Sequence, residues 1–303
     1  MPKVSVIIPV YGVEKHIARC ARSLFEQTLD DIEYLFIDDC SPDNSVQELL
    51  DVIKDYPHRR EQLIIHRMNQ NSGQAKVREW GMKNASGEYI IHCDSDDWID
   101  VNMYKLMYEK AVNENLDIVW CDYYRTNGIT NEHIDLSIQP RLMQGPLWNK
   151  LVKRSLYISN EIIFPSDNKA EDGALMTQIS YYAKSRGYIA KPLYYYYINP
   201  NSICCQSSEE ACLDKLNQEV NNTNLKIEFL KNLGVIDLFE SDILKWKLMC
   251  RENLRPLLHL KKYRKLWRNT YKEINIRFFT SKNITLKGKI RFMLLLLNPD
   301  FKI

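Results

Sequence analysis

The feature that most limits what this chain can fold into is a change of hydrophobic period, repeated several times within its first 121 residues. "VSVIIPV" (Val4 to Val10) is a continuous apolar run rich in β-branched residues, the pattern of a strand covered on both faces. Directly after it, Ile17, Cys20, Ala21, Leu24 and Phe25 recur at i, i+3, i+4, i+7 and i+8, one stripe of a helix. "EYLFIDD" (Glu33 to Asp39), "QLIIHR", "EYIIHC" and "DIVWC" read as further buried strands. Between them, Val46, Leu49, Leu50 and Ile53 mark one helix, and residues 74–85 and 103–115 mark two more. Alternation of this kind predicts a Rossmann-like, mainly parallel sheet flanked by helices and connected right-handedly.

In such sheets ligands bind beyond the carboxyl ends of the strands. Tyr11 follows the first strand, Asp38 and Asp39 close the second, "NQNSG" follows the third and "HCDSDDWID" follows the fourth, so acidic and loop residues gather on one rim. The last segment places Asp94, Asp96, Asp97 and Asp100 within seven positions. Hard divalent cations take oxygen ligands, and Mg²⁺ is commonly held by one or two carboxylates plus substrate phosphates. In extended backbone Asp94 and Asp96 point to the same side, so an Asp-X-Asp at a strand end meets that need. Capping is the competing reading for Asp97 and Asp100, since Asp suits the positive end of a helix starting near Val101.

Four ordered blocks, "VSVIIPVYG", "EYLFIDDCSPDNS", "NSGQAKVREWGMKNASGEYI" and "CDSDD", resemble the nucleotide-binding half of the family 2 glycosyltransferases over about residues 3 to 205. The resemblance implies the GT-A fold and inverting transfer of a sugar from a nucleoside diphosphate sugar, expected to be UDP-linked, to an acceptor hydroxyl. It implies that Pro9 and Tyr11 border the nucleoside, that Asp39 accepts a hydrogen bond from the base with Asp38 supporting the turn, and that Arg78 lies near the nucleotide. In "VREWG" Glu79 stands where the family usually has Asn. Asp94 is placed at the ribose or metal shell, and Asp96 is the main ligand of Mn²⁺ or Mg²⁺. Asp172 of "KAEDGALM" matches the family's base, with Glu171 as the fallback. Trp148, Asn149 and Lys150 match an element that shapes the donor and acceptor sites, although Trp148 equally fits a core. "PLYYYYINPNSI" resembles a segment preceding a loop over the diphosphate, and its alternate tyrosines Tyr194 and Tyr196 also fit one face of a strand. His66, His92 and His133 have no spacing for a metal pair and read as structural or solvated.

From about Pro140 the alternation weakens into short helices and loops, and from about Glu209 the sequence is helical. The expected division is a catalytic domain over 1–205 and a basic helical extension over 206–303. The net charge of +2 hides an asymmetry, because residues 245–303 carry 16 Lys and Arg against 3 Asp and Glu. "KGKIRFMLLLLNPDFKI" sets Lys287, Lys289 and Arg291 beside six consecutive apolar residues, Phe292 to Leu297. That stretch reads either as a peripheral membrane contact or as packing on the protein body or a second subunit. Nucleic acid is not expected as a partner, and a homo-oligomer stays open. Eight cysteines without CxxC pairs indicate a reduced chain. No signal-peptide pattern and no apolar run of spanning length is present, so the expected location is cytoplasmic, at the inner face of a membrane.

The expected function is a metal-dependent hexosyl- or N-acetylhexosaminyltransferase of surface polysaccharide biosynthesis, with a saccharide or lipid-linked saccharide acceptor. A nucleotidyltransferase is the rival enzyme, but "PVYGVEKH" is not the Gly-rich loop such enzymes usually place after their first strand. A degenerate sugar-nucleotide or glycan-binding module is the non-catalytic rival, and it would more readily have lost the carboxylates that this chain keeps.

Overall fold

Cover on both faces is what makes Val4–Val10 a strand: six of its seven residues are buried in the computed structural model, which describes residues 1–199, 206–282 and 284–298. The chain divides into two compact units, Met1–Asn168 with Leu175–Pro200, and Lys169–Ala174 with Asn201–Ile303. In order the elements begin β1 (Val4–Val10), α1 (Ile17–Phe25), β2 (Ile32–Asp38), α2 (Ser45–Val52), β3 (Leu63–Arg67), α3 (Gln74–Asn84) and β4 (Tyr89–His92). There follow β5 (Trp98–Ile99), α4 (Met103–Asn113), β6 (Ile118–Thr126), β7 (Asn131–Ile134), β8 (Lys150–Lys153), α5 (Ser155–Ile158), α6 (Glu171–Tyr182) and β9 (Arg186–Tyr197).

These strands form one sheet in the order β3-β2-β1-β4-β8-β6-β9-β5, with β7 paired to β6. The four strands β3, β2, β1 and β4 are parallel, and β1 lies between β2 and β4. The order therefore reverses beside β1, and the crevice at such a reversal is where open α/β sheets take ligands. Beyond β4 the sheet becomes mixed: β8 runs antiparallel to β4 and β6, while β9 runs parallel to β6 past a bulge at Asp122. Alternation along β1 sends Val4, Val6, Ile8 and Val10 into a core shared with α1, α2 and α4. Ile7 faces the opposite way, into a second core with Val77 and Met82 of α3 and with Leu175, Met176 and Ile179 of α6.

Two expectations need correction. The segment after Pro140, expected as short helices and loops, contains the strand β8 at Lys150–Lys153, whereas the strand face expected at Tyr194 and Tyr196 is present in the second half of the twelve-residue β9. Asp100 does not cap a helix at Val101. The helix α4 starts at Met103, and Asp100 instead accepts the Asn102 N–H at 2.9 Å in the turn before it.

The second unit is helical, with α7 (Glu209–Asn232), α8 (Glu240–Glu252), α9 (Lys261–Asn269), α10 (Ile274–Thr280) and α11 (Leu286–Leu297). Ser208 caps α7 by accepting the Ala211 N–H. Arg251 of α8 is fully buried, with its guanidinium 4.6 Å from the Trp267 ring centre. It donates to the Thr270 carbonyl and the Asn275 side chain, both at 2.9 Å, and burial lowers its pKa to about 10. One cation thus satisfies the chain reversal between α9 and α10. Among the described residues, no helix is long and apolar enough to cross a membrane.

Two measurements check the packing of the sheet. A Cβ added at Gly81 of α3 would lie 2.6 Å from Ile7 Cγ2 and 3.0 Å from Ile37 Cδ1, so the helix sits on the sheet at a distance that only Gly permits. Gly81→Ala is expected to destabilise the fold by about 1–3 kcal/mol; an unchanged urea midpoint would contradict the packing. His92 of β4 is buried with neither ring nitrogen hydrogen-bonded, and burial followed by the charge of Arg78 holds its pKa well below the ordinary value. The folded state therefore keeps it neutral while the unfolded state protonates it. Its contribution to stability is present above the unfolded pKa of about 6.5 and falls as the pH drops below it, by up to about 1.4 kcal/mol per unit. Urea titrations across that window should show the fall, and His92→Phe should flatten it; an identical slope in the variant would exclude His92 as the cause.

Candidate active site at the strand ends

The carboxylate-rich turn begins where β4 ends. Asp94 is held by Arg78 of α3, whose Nη2 donates to Asp94 Oδ1 at 2.8 Å, and Gln74 donates to the same oxygen at 3.2 Å. Arg78 is 1% exposed, so this pair is largely shielded from water on the arginine side. Removing either partner of such a pair strands a buried charge, which is costly. Asp96 is half-buried; its carboxylate accepts from the Asn199 amide at 3.2 Å and its carbonyl accepts from Arg19 of α1 at 2.9 Å. The Arg19 guanidinium itself lies 3.7 Å from the Trp98 ring centre and 4.9 Å from that of Tyr197.

Asp97 is the anchor of the turn. Fully buried, it accepts the Tyr194 hydroxyl at 2.6 Å and the Tyr197 N–H at 2.7 Å. Burial, with the like charges of Asp94 and Asp96 adding to it, pushes its pKa well above the usual carboxylate range. The same Tyr194 hydroxyl accepts the Asp94 N–H at 3.1 Å. The turn after β4 is therefore fixed to β9 through the Tyr194 phenol and the Tyr197 amide, and the phenol serves both ends of the turn. That phenol is in turn stacked: Trp148 lies against Tyr194 with ring centres 4.1 Å apart and planes 13° apart, and against Tyr196 at 5.8 Å.

At the neighbouring strand ends, Pro9 is half-buried and Tyr11 is 50% exposed. Asp38 accepts the Ser41 N–H at 2.8 Å and pairs with Arg67 at 3.0 Å, which fixes the turn after β2. Asp39 accepts the N–H groups of Ser72 and Gly73 at 2.7 and 2.8 Å, one on each oxygen. It thereby fastens the loop "NQNSG" at the start of α3. Gly73 has φ +82°, a conformation in which a side chain is strained.

Not every residue singled out from the sequence joins this rim. Trp148, Asn149 and Lys150 are 5%, 0% and 1% exposed; Asn149 donates to the Cys121 carbonyl, and Lys150 to the Pro146 carbonyl and the Asn149 side chain. Their first visible work is to shape the core and brace β9. Glu171 and Asp172 open α6, in the segment Lys169–Ala174 that belongs with the second unit. The helix dipole favours carboxylates there. Residues 200–203 of "PLYYYYINPNSI", together with Cys204 and Cys205 that follow it, lie outside the described residues. The six described cysteines, Cys20, Cys40, Cys93, Cys121, Cys212 and Cys250, are free. His66 stacks on Trp80 at 3.8 Å, and His133 pairs with Asp122 at 2.9 Å. Among the described residues no group of three or more His, Cys, Asp or Glu is arranged to hold a metal by itself.

The sequence reading did not single out Arg19, Gln74 or the anchoring role of Asp97. Arg19 carries no motif, being one cation beside the apolar stripe of α1. Asp97 was visible only as one acid among four, because its partners lie about a hundred positions away on β9.

Comparison with known proteins agrees with this geometry. The model of glycosyl transferase family 2 matches residues 5–168. The uncharacterized glycosyltransferase EpsJ of Bacillus subtilis is 28% identical over 278 residues, which is 85% of this chain and 78% of EpsJ. The poly(ribitol-phosphate) beta-N-acetylglucosaminyltransferase TarS of Staphylococcus aureus is 25% identical over 215 residues, 65% of this chain but 35% of TarS. The crystal structure of TarS 1-349 in complex with UDP-GlcNAc has a TM-score of 0.60 at 20% identity, covering 92% of each chain. The mannosyltransferase PcManGT from Pyrobaculum calidifontis, in complex with GDP-Man and Mn²⁺, has a TM-score of 0.55 at 14% identity, covering 99% of this chain and 88% of its own. The structural likenesses establish the GT-A fold. With its mixed, mostly parallel sheet and a family match across more than half of its length, this chain belongs to glycosyl transferase family 2.

Proposed function

We propose that the protein is an inverting glycosyltransferase that moves a hexosyl or N-acetylhexosaminyl group from a UDP-linked sugar to a hydroxyl of a growing or lipid-linked saccharide, in assembly of a surface polysaccharide. The observation that carries this reading is the braced Asp94–Asp97 turn at the end of β4, one strand from β1 at the reversal of strand order. The UDP-GlcNAc complex of TarS and the acceptor polymer in that enzyme's name support the donor and acceptor classes.

In this reading the half-exposed Tyr11 ring lies against the base. Asp39 retains acceptor capacity beyond its two loop amides for a base N–H. Asp94 and Asp96 would supply carboxylate oxygens of the kind that Mn²⁺ or Mg²⁺ takes beside a substrate diphosphate. Arg78 and Gln74 share one oxygen of Asp94, which leaves Asp96 as the principal ligand. A bound cation would offset the negative charge that builds on the departing diphosphate. The acceptor oxygen attacks the anomeric carbon as the bond from that carbon to the phosphate oxygen breaks, and the electron pair leaves with the nucleoside diphosphate. The acceptor proton passes to Asp172, with Glu171 as the alternative base.

Two variants separate these roles. Asp96→Asn should abolish turnover and remove the metal-dependent part of nucleotide binding. Asp172→Asn should slow transfer by about 100- to 10,000-fold, the usual loss for a general base, while nucleotide binding stays near the wild-type value. Binding would be read by calorimetry and transfer by release of the nucleoside diphosphate. Equal loss of binding in both variants would contradict separate metal and base roles.

A further inference from the structure

The helix α11 has two apolar faces with different surroundings. Phe292 and Leu295 are 1% exposed, and Phe292 packs with Phe278 of α10 at a ring separation of 4.4 Å. On the other side Leu286, Ile290, Met293 and Leu297 are 74%, 46%, 45% and 73% exposed. They recur at i, i+4, i+7 and i+11, which places them within about 60° of arc on one helix face. Lys287 and Lys289 flank that stripe on its two sides, and Arg291 follows Lys287 by one turn, farther round the helix.

The neighbouring α9 adds charge to this surface. Its Trp267 shares a core with Leu295, and Arg268 Nη2 donates to the Leu296 carbonyl at 3.1 Å, so the two helices adjoin. Tyr263 and Trp267 face inward, which leaves Lys261, Lys262, Lys265 and Arg268 exposed along a surface depression of 610 Å³. Lys262 pairs with Glu209, an exposed contact at 2.9 Å that leaves the row predominantly cationic.

Charge decides what such a surface fits. A second copy docked through the same face would set these cations against themselves, which costs energy at an isologous contact. A soluble polyanion would neutralise the cations but leave the leucine stripe in water. An anionic bilayer satisfies both, with the cations among the headgroups and the stripe at the acyl boundary. We propose that α11, with the cationic face of α9 beside it, is a docking surface for an anionic lipid bilayer, on which α11 lies in the plane of the interface. This proposal does not rest on the transferase reading.

The test is flotation of the whole chain with two kinds of vesicle, one of phosphatidylcholine alone and one with about a third phosphatidylglycerol. Wild type should float with the anionic vesicles only and lose binding as salt is raised. Ile290→Glu with Met293→Glu, both on the exposed face, should cut that binding by at least about tenfold. The variant's unfolding midpoint should stay unchanged, which shows that the fold is intact. Equal flotation with neutral vesicles, no flotation with anionic ones, or unchanged binding by the folded double variant would overturn the proposal. So would a concentration-dependent dimer that the double variant abolishes, or capture by inorganic polyphosphate without any vesicle binding.

Discussion

The hydrogen bond from the Tyr194 hydroxyl to the buried Asp97 carboxylate is the interaction on which the strand-end site depends. A buried carboxylate is tolerated only when its oxygens are satisfied, and here both are, by a phenol and a backbone amide of β9. Because the phenol also takes the Asp94 N–H, the two ends of the Asp94–Asp97 turn share one support. Stacking on Trp148 fixes that support in turn. Geometry at the rim therefore originates in the antiparallel and bulged half of the sheet, while the rim itself caps the parallel half.

How far the sequence disclosed this follows from the range of the interactions. The parallel strands and their helices, from Val4 to Cys121, were legible because burial on both faces writes an unbroken apolar run and each helix carries its own stripe. The mixed half was less legible. The strand β5 spans only Trp98 and Ile99, too short for any period, and β9 hides its alternation within four consecutive tyrosines. Asp94 and Asp96 stood out as a local pattern, whereas the brace formed by Asp97, Tyr194 and Arg19 is non-local and leaves no spacing to read. Trp148, Asn149 and Lys150 show the converse limit: a short motif names residues without saying whether they face a ligand or a core.

The helical unit repeats that lesson at its end. Six consecutive apolar residues, Phe292 to Leu297, do not reveal which of them turn inward until the helix has a register. Packing with α10 buries Phe292 and the core shared with α9 buries Leu295, while Met293 and Leu297 turn to solvent. Composition alone gave the charge of the region. Its apportioning into a buried seam, an apolar stripe and cationic borders is a property of the fold.

Calorimetric titration of the purified protein with UDP and GDP, each with and without Mn²⁺, tests the central claim most directly. Manganese-dependent binding of UDP, with GDP weaker and with the response to manganese lost in Asp96→Asn, is the result this account predicts. Binding that is equal for both nucleotides and indifferent to manganese would contradict the assignment of the braced Asp94–Asp97 turn to a metal-bound UDP-sugar diphosphate.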